Sequence, residues 1–272
     1  MNAAERYNAM VTARQQQQSR FATPFGESYW ERFAHTYRFD PHRLPEASIR
    51  EVIRRMQMDD EIIEVGGGAG RVGLPLVLRG KSLRNVEPSA AMREQFRLAV
   101  WQHGIQNAEA IASSWPMQEP IRADLVVTAD VTYFISEIES FLRAMHEAAR
   151  RRVAILTWTV PPPNVNAALF RLAFGEDEAP SPGFRELLPV LWEMDIVPDV
   201  LLADEGFAWP ERRPTNDDEA LQFIYRELSP RDEDAVAERL RPRLGELFMR
   251  DDAYFPAWRT PSQAMLITWE TN

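Results

Sequence analysis

The residues best able to do chemistry lie in one short run, Glu64-Val65-Gly66-Gly67-Gly68-Ala69-Gly70, with Glu87 following it. Glycines so dense let the main chain take positive φ, and let a ligand reach the backbone with no Cβ between them. Glu64 is an acid on an otherwise apolar stretch, two places before the first glycine. Its carboxylate can hold a water or a ligand's ammonium group. Glu87 ends the second strand-like stretch, where a carboxylate can accept hydrogen bonds from both hydroxyls of a ribose. Plainer roles exist for both: Glu64 as a surface acid at a strand end, Glu87 as a charge favoured by a helix N-terminus. Gly68-Ala69-Gly70-Arg71-Val72-Gly73 is also a formal G-x-G-x-x-G, the dinucleotide fingerprint. In that reading the first glycine should follow directly on the strand, and here Gly66 and Gly67 intervene.

These residues need a scaffold, and the flanking pattern supplies one. Glu61–Val65 reads as a strand, Gly73–Leu78 as a helix and Leu83–Val86 as a second strand. Ser89 can cap a helix from Ala90 to about His103. Ala108–Ala112, Asp124–Ala129 and Arg152–Trp158 read as the next three strands. Ser136 with Glu139 predicts a capping box that opens a helix running to about Arg150. Strands alternating with helices at this spacing predict a parallel sheet covered on both faces. A glycine turn after the first strand then lies outside the carboxyl end of the sheet, where such folds bind ligands. Beyond the fifth strand, helices are expected at 165–174 and 184–194, and a sixth strand at 198–203. Asn216 with Glu219 predicts a helix to Leu228. Ser229-Pro230 predicts the start of the next, with proline at the first helical position. Ala264–Trp269 reads as a last strand. Ahead of the sheet, residues 1–45 carry no strand signal. Tyr29, Trp30, Phe33 and Tyr37 share one helical face, and Pro41 and Pro45 break the chain before a helix over 46–56.

With those residues in view, Glu64–Gly70 resembles motif I of the class I S-adenosylmethionine (SAM)-dependent methyltransferases. Val86-Glu87-Pro88-Ser89-Ala90-Ala91-Met92 is similar to the family's second motif in its EPS-x-x-M form, and Asp124–Phe134 resembles its fourth-strand region. The likeness covers about Asp59–Trp158. It implies a three-layer α-β-α sandwich, a Rossmann-like seven-stranded sheet, with an N-terminal helical extension. Residues 1–45 are then expected as a lid hinged at Pro41 and Pro45, and 46–272 as the SAM-binding domain with its nucleotide core at 59–158. The cofactor implied is SAM, held by Glu64, Gly66, Gly67, Gly68, Gly70, Glu87, Pro88, Ser89 and Met92, with Ala129 and Asp130 at its methionine end. Many members carry an acid after the third strand for the adenine; this chain has Ser113, Ser114 and Trp115 there instead. The reaction implied is methyl transfer. It needs in-line positioning and dryness more than acid catalysis. Asp130, Tyr133 and His35 are the candidates if the acceptor must lose a proton.

Composition narrows the acceptor. The chain has 272 residues and a net charge of −10, which argues against a nucleic-acid substrate. An Asn/Asp-Pro-Pro-Tyr signature is absent; Val160-Pro161-Pro162-Pro163-Asn164 does not match it. A small-molecule acceptor is the expectation, with a protein as another. There is no cysteine, and the four histidines (His35, His42, His103, His146) fall at no metal-ligand spacing, so no metal is expected. The N-terminus has no apolar leader core and no stretch is long enough to span a membrane, which fits a cytoplasmic protein. Two other functions stay open: an NAD(P)-dependent oxidoreductase using Gly68, Gly70 and Gly73, and a SAM-binding protein without transferase activity. Nothing in the sequence fixes the oligomeric state.

Overall fold

Alternation along the strands decides which side chains meet which helical layer. The computed structural model describes residues 1–22, 27–204, 213–250 and 254–271. Ahead of the sheet come α1 (Ala3–Phe21), α2 (Glu27–Phe33) with a 3-10 turn at Ala34–Tyr37, and α3 (Ala47–Arg55). Then follow β1 (Glu61–Val65), α4 (Gly73–Val77), β2 (Ser82–Val86), α5 (Ala90–Gln102), β3 (Ala108–Ile111), β4 (Ala123–Ala129), α6 (Ile138–Ala148) and β5 (Ala149–Trp158). The rest of the chain gives α7 (Ala167–Phe174), α8 (Phe184–Glu193), β6 (Asp199–Leu202), α9 (Asp217–Leu228), α10 (Glu233–Leu240), α11 (Leu244–Leu247), the hairpin β7 (Phe248–Arg250) and β8 (Tyr254–Pro256), and β9 (Ala264–Glu270).

The seven-stranded sheet has the order β3-β2-β1-β4-β5-β9-β6. Strands β1 to β5 pair in parallel, and β9 runs antiparallel to both β5 and β6. Ile63, Val65, Val126, Val153 and Ile155 face a layer made by α1, α6 and α8. Ile62, Leu83, Leu125, Val127 and Ala154 face α3, α4 and α5. This is the expected α-β-α sandwich.

The polar first helix is a core element. It buries Ala3, Ala4, Tyr7, Val11, Arg14 and Gln17, a stripe at helical spacing. Tyr7 donates its hydroxyl to the Thr132 carbonyl at 2.9 Å, and the Ala3 amide donates to Glu193 of α8 at 2.8 Å. Asn8 Oδ1 accepts from the Ile138 amide at 3.2 Å. That last bond corrects the Ser136–Glu139 capping box: α6 starts at Ile138 without a local side-chain cap, and α1 satisfies its first amide from outside. Arg14 and Gln17 are buried with partners on the 177–179 segment. Arg14 pairs with Glu178 at 2.5 Å, and Gln17 bonds the Asp177 carbonyl and the Ala179 amide.

A third cluster stands apart from the two sheet faces. α7, α9, α10, α11 and the β7–β8 hairpin pack around Leu169, Phe170, Phe223, Phe248 and Trp258. These elements leave the chain after β5 and between β6 and β9, so they form a helical cap beyond the carboxyl edge of the sheet. Trp258 donates to Asn166 Oδ1 at 2.9 Å, which ties the cap to the loop after β5. Here the expected helix start at Ser229-Pro230 is corrected. Ser229 takes φ 45 and closes α9, while Asp232 caps α10 by accepting from the Ala235 amide. A left-handed residue ends a helix more readily than it opens one. No helix among the described residues is long and apolar enough to cross a membrane.

Candidate functional site

β1 ends in a turn whose glycines Gly66, Gly68 and Gly70 take φ of 65, 54 and 89. Packing shows what each absent side chain makes room for. A Cβ on Gly67 would lie 2.4 Å from Glu64 Oε2, and one on Gly73 would lie 2.2 Å from the same atom. Glu64 therefore points up beneath the turn, between its start and the first residue of α4. A Cβ on Gly66 would meet Val131, and one on Gly70 would meet Leu74 and Phe96. Gly68 differs: only Met92 comes within 4 Å, at 3.6 Å. Of these positions, Gly68 is the one whose backbone is open for a ligand to approach.

Glu87 follows β2 and converges on that open glycine. Its Oε2 accepts from the Gly68 amide at 3.0 Å and its Oε1 from the Ser89 amide at 2.8 Å. These two bonds fix the carboxylate between the turn and the start of α5. Ser89 caps α5 as expected, its Oγ accepting from the Met92 amide at 3.2 Å. Met92 is buried with Ala34 and Ala69, and Trp30 and Tyr37 pack against that group. So α2 and its 3-10 turn lie on the glycine turn, whereas α1 lies in the sheet's other layer. Pro88 is exposed at the rim.

Glu64 is fully buried, and burial pushes its carboxyl up to about 8, with the Gly73 amide and Arg71 pulling the other way and Glu87 adding to the rise. Its register partner on β2 is Asn85, also fully buried, whose Nδ2 donates to the Gly68 carbonyl at 3.0 Å.

Across the carboxyl edge, β4 ends at Ala129, and Asp130 takes φ 59. A non-glycine residue there costs on the order of 1 kcal/mol or more and persists only when its surroundings hold it. Asp130 Oδ1 accepts from Trp158 Nε1 at 2.7 Å and from the Tyr133 hydroxyl at 3.2 Å, and Oδ2 accepts from Arg71 Nη2 at 2.8 Å. Arg71 continues to Glu46 at 3.2 Å, and Arg43 bonds both Glu46 and the Arg71 carbonyl. Tyr133 is buried behind Asp130, its hydroxyl also 3.0 Å from Thr157 Oγ1. Burial and the nearby Asp130 hold that phenol well above its usual range. Tyr133 is thus built to orient Asp130 rather than to take a proton.

The remaining expected residues lie further apart. His35 is exposed on the 3-10 turn, while its neighbour Ala34 faces Met92. Ser113 Oγ donates to the Ser114 carbonyl at 2.9 Å, and Ser114 is exposed. Trp115 donates its indole N–H to the Phe141 carbonyl at 3.3 Å, which leans it against α6. Sequence reasoning missed Asn85, Arg71, Glu46 and Thr157. Asn85 shares the parity of Leu83, but Ser82 and Arg84 are also polar on its strand, which hides the signal that Glu64 gives on β1. Glu46 and Arg43 meet Arg71 only through tertiary packing, which leaves no local pattern. Among the described residues, no group of three or more His, Asp or Glu side chains could hold a metal ion. A cleft of about 560 Å³ opens at the opposite, amino edge of the sheet beside Arg152, Asp199 and Trp269, away from these groups.

No family model matches the chain, and no curated protein matches its sequence. Solved structures do match its fold. The YcgJ protein of Bacillus subtilis superposes with a TM-score of 0.54 at 13% identity, covering 83% of this chain and 98% of that one. Geranyl diphosphate methyltransferase in complex with SAM gives 0.51 at 15% identity, covering 85% and 87%. The same enzyme with geranyl diphosphate and sinefungin gives 0.50 at 15%, covering 83% and 77%. At these identities the likeness is one of fold, and the fold is the Rossmann-like sandwich of the class I methyltransferases.

Proposed function

We propose that this protein is a SAM-dependent methyltransferase acting on a small-molecule acceptor in the cytoplasm. One observation carries the reading: the Glu87 carboxylate and the only open-faced glycine of the turn, Gly68, meet at 3.0 Å outside the carboxyl ends of β1 and β2. The residues fit the ligand. The backbone of Gly66, Gly67, Gly68 and Gly70 forms the cradle, the Glu87 carboxylate faces the ribose hydroxyls, and Pro88, Ser89 and Met92 shape the rim and floor. Ser113, Ser114 and Trp115 follow β3 and are the candidates for the adenine side, and Ala129 and Asp130 for the methionine side. Bound SAM would supply an electrophilic methyl group on a sulfonium.

The chain's own task is then to orient an acceptor and keep water out. Asp130 is held by Trp158, Tyr133 and Arg71, so its carboxylate has a fixed direction. One lone pair on Oδ2 stays available to receive an acceptor's proton or hydrogen bond. Tyr133 acts through Asp130, and His35 would reach the site only by movement of the 3-10 turn. A helical cap beyond the carboxyl edge of the sheet supports an enclosed small molecule over a polymer; the net charge of −10 supports the same choice. That a matched structure is a geranyl diphosphate methyltransferase agrees with a small acceptor.

The oxidoreductase alternative has less support. A dinucleotide-binding sheet of the 3-2-1-4-5-6 order is parallel throughout, whereas β9 here is antiparallel and sits between β5 and β6. Calorimetry against S-adenosylhomocysteine and NAD tests the proposal. Micromolar binding of the first and none of the second is expected; the reverse would overturn it. Binding without turnover on any acceptor class would leave a SAM-binding protein that is not an enzyme.

A further inference from the structure

Two buried oxygen atoms beneath the glycine turn lack any hydrogen-bond partner: Glu64 Oε2 and Asn85 Oδ1. They belong to residues in direct register on β1 and β2, on the same face of the sheet. Both point at one small space, since a Cβ on Gly67 would lie 2.4 Å from the first and 2.6 Å from the second. Two acceptors facing each other in a buried space repel, and the Gly73 amide beside Glu64 offsets this only in part. A proton on Glu64 removes the conflict at once. Turning the Asn85 amide over would instead give an ionised Glu64 a donor, but it would set Asn85 Oδ1 against the Gly68 carbonyl that Nδ2 now serves.

We infer that Glu64 is a protonated carboxylic acid that donates to Asn85 Oδ1, so that Glu64 and Asn85 are positioning residues which set the glycine turn from below and do not touch the ligand. The relay has three links joining four residues. Glu64 donates to Asn85, Asn85 Nδ2 donates to the Gly68 carbonyl, and the Gly68 amide donates to Glu87, which faces the ligand side. Removing the proton from Glu64 breaks the first link, leaves a buried charge, and loosens the peptide on which Glu87 is aligned.

The groups facing Glu64 agree with this state. β2 presents Asn85, and β4 presents the apolar Val127 in register. Leu83 and the Gly73 amide close the α4 side. Of the charged neighbours, Arg71 favours ionisation but is already shared by Glu46 and Asp130, and Glu87 opposes it. Burial holds the acid protonated until pH reaches about 8.

The inference rests on the SAM reading only for its binding arm; its spectroscopic arm does not. Infrared spectra of ligand-free protein carrying isotope-labelled glutamate should show a carboxylic-acid carbonyl band at neutral pH. That band should vanish in Glu64→Gln and titrate near pH 8. Absence of a band removable by that substitution would mean an ionised Glu64 and would overturn the inference, whether or not any ligand binds. In calorimetry with S-adenosylhomocysteine, wild-type affinity should fall as pH rises through about 8. Glu64→Gln, whose amide keeps a donor toward Asn85, should lose that pH dependence. Asn85→Leu should bind roughly tenfold more weakly on both sides of it. If Glu64→Gln folds normally yet loses binding at every pH, the carboxylate contacts the ligand itself and the relay is wrong. If no variant and no wild-type protein binds, the methyltransferase proposal fails while the infrared band still decides the relay.

Discussion

The half of the molecule built on β1 to β4 and the half that forms the helical cap are held together differently. Around the glycine turn, polar groups do the fixing: Glu87 and Asn85 bond the backbone of Gly68, and Arg71 bonds the Asp130 carboxylate. In the cap, apolar and aromatic side chains do it. Phe248 contacts the rings of Phe223, Tyr254 and Trp258 at centroid distances of 6.1, 5.6 and 4.9 Å. A site that must meet one ligand in one pose needs directional bonds. A cover over an acceptor needs only a stable shape, and non-directional packing can supply that. Damage to a directional bond should therefore stay local, whereas damage to the packed cap should spread through the cap.

The largest effect is expected in the cap. Phe248→Ala removes a buried ring and should cost about 3–5 kcal/mol of the cap's own stability. Because the cap's cluster is separate from both sheet-face clusters, the loss should appear as faster hydrogen exchange over 217–250 with the exchange of β1, β2 and β4 unchanged. Affinity for S-adenosylhomocysteine should hold while turnover falls. Equal loss of protection in the central strands would mean that the two halves unfold as one unit.

Next in size is Gly67→Ala. Its methyl group would overlap the Glu64 carboxyl and the Asn85 amide, neither of which can move away from a filled core. Overpacking of this kind costs about 1–3 kcal/mol, read as a shift in the chemical denaturation midpoint. Adding Glu64→Ala should return part of that stability, since it removes the clashing atoms. Additive losses in the double variant would show that the turn, and not Glu64, fills the space.

Glu87→Ala should act on binding more than on fold. It removes the acceptor of two amide bonds and of the proposed ribose contact, and bonds to a charged group are each worth about 1.5–3 kcal/mol. At least a tenfold loss of S-adenosylhomocysteine affinity is expected by calorimetry. Wild-type affinity would reduce Glu87 to a strut for Gly68 and Ser89.

The same contrast governs what could be read from sequence. β1 was legible to the residue and the parallel strands nearly so, because apolar runs bounded by turn residues carry their own signal. The Ser89 cap was legible because capping is local. α1 was not, because only Tyr7 and Val11 on its buried stripe are large and apolar; its Arg14 and Gln17 are buried through bonds to residues some 160 positions away. Asn8 replacing a local cap on α6 is the same kind of event. The cap escaped notice as a unit because its pieces come from two separate insertions. In the site, the glycines and Glu87 announced themselves by type and spacing. The Asp130 network did not, since its partners Arg71, Trp158 and Thr157 converge only once the sheet has formed.

The smallest stability effect, and the sharpest separation of turn from ligand, should come from Gly68→Ala. Gly68 takes φ 54, a left-handed conformation that an alanine adopts at a cost of about 1–2 kcal/mol. Unlike its neighbours it has room: the new methyl would meet only Met92, with Sδ at 3.6 Å, an ordinary contact. The ligand-free protein should therefore melt only slightly earlier than wild type, and less so than Gly67→Ala. The methyl group would nonetheless stand on the face left open for the ligand, so S-adenosylhomocysteine affinity should drop far more than the stability does. Thermal denaturation without ligand and calorimetry with it separate the two. A variant that melts early but binds at full strength once folded would make Gly68 a turn residue only, and the ligand would then have to approach the chain elsewhere.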